Sequence, residues 1–131
     1  MAVLTLKPGG PHNPALAASW VEETGVPADG DTLTFNYASG TLLNALNIFA
    51  TFNLDISDYS LAASELLAAG VDSAGTVLIT GGGEYIHDNT DAVLGAVTIS
   101  GAGVYEAGVG HDIQGAVTLG EGIVTFRDVT V

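Results

Sequence analysis

From Gly75 to Val131 the chain reads GTVLITGGGEYIHDNTDAVL (75–94), GAVTISGAGVYEAGVGHDIQ (95–114) and GAVTLGEGIVTFRDVTV (115–131). Gly75, Gly95 and Gly115 coincide, as do Val77, Val97 and Val117, then Ile79, Ile99 and Leu119, then Tyr85 and Tyr105. In each copy the apolar Val and Ile/Leu sit two apart, on one face of a strand. A fixed repeat of strand and glycine turn predicts a stacked β architecture, with parallel ladders roughly 4.8 Å apart around a dry core. A meander of hairpins is the alternative, and it gives no reason for the phase to hold across three copies.

The same apolar pair occurs further back. Leu33/Phe35 and Leu54/Ile56 precede Val77/Ile79, Val97/Ile99 and Val117/Leu119, at spacings of 21, 23, 20 and 20 residues. The expected fold is therefore all-β, a short parallel β-solenoid of about five coils occupying residues 20–131. Within it, Leu46, Ile48, Ala50, Phe52, Leu54 and Ile56 alternate with polar residues as a half-buried strand, with Phe49 as the apolar exception on the polar side. Ser60–Gly70 carries good helix formers between a capping residue (Asp58 or Ser60) and a glycine, which predicts one short inserted helix at about 60–69. A helix of that length needs a surface to lie on.

Residues 1–19 read as an extended N-terminal arm. Pro8, Pro11 and Pro14, with Gly9-Gly10, forbid a helix, and the apolar start at Ala2, Val3, Leu4 and Leu6 suits a short strand laid on a neighbour. Ala2, Val3, Leu4, Leu6, Pro8 and Pro11 are the expected partner-binding residues. Deleting residues 1–14 is then expected to abolish attachment and leave the body folded. Trp20, followed by the turn Pro27-Ala28-Asp29-Gly30-Asp31, is expected to seal one end of the core.

Fifteen acidic residues against two basic ones give a formal charge of −13. Such a chain is repelled by nucleic acid, whose binders need basic stripes. No run of eighteen apolar residues suits a membrane span, and the N-terminus lacks the apolar core of a secretory signal, so the expectation is synthesis in a cytoplasm without a signal peptide. With no cysteine, neither disulfides nor thiolate metal sites arise.

From Trp20 onward the chain resembles phage virion-associated β-solenoid proteins. The resemblance rests on Trp20, then Val26-Pro27 and Gly30-Asp31, then the strand Thr32-Leu33-Thr34-Phe35, a second strand at Leu46–Ile56, and glycine-punctuated strands to Val131. The chain departs from those proteins at Glu22-Glu23-Thr24 and at the helical Ser60–Gly70. What the resemblance implies is a non-enzymatic structural part of a phage particle. The first expectation is a capsid decoration (cement) protein on the outer head surface, a homotrimer bound to the major capsid protein or another virion protein. The alternative is a receptor- or carbohydrate-binding module of a tail fibre or spike, with Trp20 or Tyr105 as the stacking aromatic.

The residues themselves argue against catalysis. Counting by twenty, the outward rows 84/104/124 and 86/106/126 read Glu, Val, Val and Ile, Glu, Phe, so no acid stacks on an acid as carbohydrate-cleaving pairs require. No cofactor motif occurs: Gly81-Gly82-Gly83 lacks the helix and lysine of a phosphate loop and reads as a turn. Asp91 and His111 fall at equivalent positions of adjacent repeats and are the weak metal-site pair; a solvated loop pair is the simpler expectation. Phe49, Leu78, Ile86, Val104, Val124 and Phe126 lie off the inward stripe, and exposed apolar residues of this kind mark an oligomer interface. A closed homotrimer would bury them.

Overall fold

The apolar pairs of the repeat stand side by side in one parallel sheet. The structure, a computed structural model, describes residues 2–46, 50–66, 72–87, 93–94, 97–100, 103–107, 112–113, 117–119 and 123–125. It is an all-β fold of parallel sheets with, among the described residues, one short α-helix and a 3-10 turn at Ala17–Ser19. In chain order the strands are β1 (Val3–Thr5), β2 (Thr32–Phe35), β3 (Ala50–Ser57) and β4 (Ser60–Ala62). The helix α1 (Ala63–Leu66) follows, then β5 (Asp72–Thr80), β6 (Glu84–His87), β7 (Val93–Leu94) and β8 (Val97–Ile99). The chain continues through β9 (Val104–Ala107), β10 (Asp112–Ile113), β11 (Val117–Leu119) and β12 (Ile123–Thr125).

In the larger sheet Leu33 pairs with Leu54, Leu54 with Val77, Val77 with Val97 and Val97 with Val117. Phe35, Ile56, Ile79, Ile99 and Leu119 form the parallel row two residues on. Leu33, Phe35, Leu54, Ile56, Val77, Ile79, Val97 and Ile99 are all buried. Burying each such side chain contributes about 1.5–3 kcal/mol, and stacking like on like sets the register, because a one-residue slip would turn every inward side chain outward. The long spacing from Leu54 to Val77 is absorbed by an irregularity between β3 and β5, where the register shifts between Phe52 and Leu54.

The smaller sheet runs β4, β6, β9, β12. Leu61 pairs with Tyr85 and Tyr85 with Tyr105, and all three are buried. Here the period of twenty fails at the last step. Val104 pairs with Ile123, and Tyr105 pairs with Val124. Four residues separate β8 from β9 but only three separate β11 from β12, so the chain enters β12 one position earlier. Val124 consequently takes the register position of buried Tyr105, and the expected outward row 84/104/124 is corrected to 84/104/123.

Two other expectations change. Ser60, Leu61 and Ala62 form β4 against β6 rather than the first turn of a helix. Pairing buried Leu61 into the ladder outweighs the good helix propensity of the segment, which is worth only tenths of a kcal/mol per residue. The α-helix among the described residues is Ala63–Leu66, with Leu66 in the core, and the rest of the expected helix, 67–69, lies outside the described residues. The expected arm is also part of the body. β1 lies parallel on β2, with Leu4 beside Leu33, and Leu4 and Leu6 are buried in the chain's own core. These two side chains cannot serve a partner without leaving that core.

Trp20 seals this end as expected. It is buried, meets Phe35 edge-on at 6.2 Å between ring centroids, and donates its indole N–H to Pro14 O at 3.0 Å. Its segment also covers the outer edge of β1. Leu6 bridges antiparallel to Trp20, and Val21 N–H donates to Thr5 O at 2.8 Å. An edge strand left bare would invite pairing with another chain.

Candidate functional site

The polar side chains that hold the turns form one system. At the entry to the larger sheet, Asp29 accepts the Thr51 N–H at 2.7 Å, 22 residues on. One repeat later Asn53 accepts the Thr76 N–H at 3.0 Å and its hydroxyl at 3.1 Å. Asn53 also donates its amide to Gly30 O at 3.5 Å. At the exit Asp58 accepts the Gly82 N–H at 2.7 Å. Each side chain accepts a backbone N–H of the neighbouring repeat, of Thr51 in β3, Thr76 in β5 and Gly82 in a turn, and so ties one repeat to the next. Gly81-Gly82-Gly83 is the turn the sequence predicts. Gly81 has φ +59°, and a Cβ on buried Gly83 would come within 2.9 Å of Ile56 O.

Two acids hold the N-terminal strand. Buried Asp31 accepts the N–H of Ala2 at 2.8 Å and of Ala28 at 2.9 Å. Glu22 accepts the Thr5 N–H at 2.8 Å on the outer edge of β1. Partial burial pushes the Glu22 carboxyl up, but hydrogen bonds from the Thr5 backbone and side chain and from its own N–H outweigh this and leave it below the usual value. Lys7 pairs with Glu23 close by. Composition alone reads these carboxylates as solvated charge. Their role as amide acceptors becomes visible only once the register says which turn lies next to which.

Among the described residues the expected interface side chains are divided between the two sheets. Leu78 is 37% exposed on β5, in the outward row Thr5, Thr34, Asp55, Leu78, Thr98, Thr118. Ile86 and Val104 are half-buried on the smaller sheet. Phe49 and Phe126 lie outside the described residues, as do both members of the weak metal pair, Asp91 and His111. Among the described residues no three of His, Asp and Glu gather closely enough to hold a metal ion, and no helix is long and apolar enough to cross a membrane. Of the arm, Val3, Pro8 and Pro11 are exposed or partly so, and Ala2 is half-buried.

Neither aromatic named for sugar stacking is accessible: Trp20 and Tyr105 are both fully buried. Tyr105 lies 5.9 Å from Tyr85 between ring centroids, and burial raises its phenol well above the ordinary range. Tyr59 is half-buried, stacks on Phe35 at 5.4 Å and donates its hydroxyl to Gly40 O at 2.6 Å. Burial, then the nearby Glu65 carboxylate, raises its phenol as well. The exposed aromatic of this region is Tyr37, at 85%, on the turn Asn36–Ser39. No known protein family matches the sequence, and no curated protein or solved structure matches the chain.

Proposed function

We propose that this chain is a non-enzymatic structural virion protein, a parallel β-solenoid of five coils that decorates the outer surface of a phage capsid as a homotrimer. The observation that carries the architecture is the pairing of five apolar pairs one repeat apart in a single parallel sheet. In the described ladders no acid stands beside an acid. Asp55 lies between Thr34 and Leu78, Glu84 beside Val104, and Glu106 beside Ile86. That arrangement supports a body built for stacking and adhesion over one that positions a carboxylate pair for catalysis.

The mechanism is burial of apolar area across several shell subunits. The N-terminal strand stays in the body and offers Val3, Pro8 and Pro11 as its accessible groups. The test is co-sedimentation of the purified protein with expanded phage shells that lack it. Saturable binding at a fixed number of copies per shell unit is expected; protein that stays in the supernatant at all ratios overturns the reading.

A further inference from the structure

Asp31 is a buried carboxylate with no cation against it among the described residues. It is 5% exposed, and each of its oxygens accepts one backbone N–H, Oδ1 from Ala2 at 2.8 Å and Oδ2 from Ala28 at 2.9 Å. Among the described residues Lys7 is the one Lys or Arg, and it pairs with Glu23. Taking a carboxylate out of water is costly unless a positive charge meets it. The acceptor is also fixed in place. Asp31 N–H donates to Ala28 O at 3.1 Å, and Asp31 O accepts the Asn53 N–H at 2.9 Å. Ala2 is fixed from its other side, where its O accepts the Thr32 N–H at 2.8 Å as β1 starts along β2. The Ala2 nitrogen is therefore held against the carboxylate, and in a peptide bond it brings no charge there.

We propose that Asp31 is the seat of a free α-amino group at Ala2, produced by hydrolysis of the Met1–Ala2 peptide bond. The C–N bond breaks, the oxygen of water joins the Met1 carbonyl carbon as a carboxylate, and both hydrogens of the water end on the Ala2 nitrogen. Alanine leaves the bond before it sterically open to an aminopeptidase that removes methionine. The new amine is protonated below its ordinary pKa of about 7.7–8.0. The contact of 2.8 Å then becomes an ion pair in the same place, and charge-assisted hydrogen bonds are roughly twice as strong as neutral ones. Ala2 is half-buried, which leaves the other two N–H groups open to water. The surrounding charges favour the ammonium. β1 and β2 carry no titratable side chain, the turn before β2 adds Asp29, and β3 adds Asp55. The segment along the outer edge of β1 adds Glu22 and the Glu23–Lys7 pair.

The experiment compares two preparations of the chain released from a removable fusion partner, one starting at Ala2 and one at Met1. Urea midpoints are read at about pH 6 and about pH 10. Pairing raises the folded-state pKa of the amine above the unfolded value, so its contribution is full below about 7.7 and is lost as pH rises through the folded pKa. The Ala2-first chain is expected to be the more stable at the lower pH, and its lead to close at the higher. Equal midpoints at the lower pH overturn the proposal. So does a lead of the same size at both, which would come from packing and not from charge. Asp31→Asn in both preparations is expected to abolish the lead, and a lead that survives it removes Asp31 from the account. Should that variant fail to fold, NMR titration of the Ala2 amine in the wild type decides. A pKa above the ordinary range supports the pair, and one within it overturns the pair. Intact mass of the chain made without a fusion partner is expected to show Ala2 first; a chain that keeps Met1 overturns the processing step.

Discussion

Leu4 stands in register beside Leu33, 29 residues away, and both side chains are buried. The N-terminal strand is thus the first row of the core. Leu4→Ala removes buried methyl groups from a packed site and is expected to cost about 2–5 kcal/mol in urea unfolding. Deleting residues 1–14 should unfold or aggregate the body, because it uncovers Leu33 and Phe35. A truncated chain that melts like the full one would show that β1 contributes nothing to the fold.

Glu22 gives the stability a defined acid limb. Its carboxyl sits below the usual value, so its contribution is fully present above the unfolded-state pKa of about 4.3 and fades as pH falls through the folded one. Glu22→Gln retains an oxygen for the Thr5 N–H but has no charge. The variant should be less stable than the wild type at pH 7, and the gap should close as pH falls below the usual carboxylate value, read as the urea midpoint. A difference that is the same at both pH values would remove the charge from the account.

The parts of this fold that the sequence discloses are those set by repetition. Five apolar pairs keep their phase, so the repeat alone aligns Leu33, Leu54, Val77, Val97 and Val117. It does not reach Leu4, because prolines and a 29-residue spacing separate that residue from Leu33. Ser60–Leu66 reads locally as helix, and only the presence of β6 beside it turns Ser60–Ala62 into strand. The one-residue advance at Val124 follows from a connection one residue shorter, which a fixed count of twenty does not register. The candidate site is the least legible. Asp31 reads as one acid of a turn, and it meets the Ala2 nitrogen only when β1 lies on β2.

Asn53 binds three backbone or side-chain groups from the repeats on either side of it. Asn53→Ala leaves the exposed Thr76 N–H to water and should cost about 0.5–1.5 kcal/mol. Asn53→Asp keeps the acceptor oxygen but loses the donor to Gly30 O, and should fall between the two. Urea unfolding of the three proteins checks the order; an alanine variant as stable as the wild type would make the side chain dispensable.

Tyr105 separates packing from polarity at a single position. Its ring fills the core beside Tyr85, while its buried hydroxyl has no hydrogen-bond partner among the described residues. Removing the ring should therefore cost much, and removing the oxygen should help. Tyr105→Ala is expected to lose about 3–5 kcal/mol, and Tyr105→Phe to gain up to about 1 kcal/mol by sparing the desolvation of an unpaired group. Thermal melts of the two variants against the wild type decide the matter. A Tyr105→Phe protein that is clearly destabilised would mean that the hydroxyl has a partner, and that this oxygen helps to hold the smaller sheet in place.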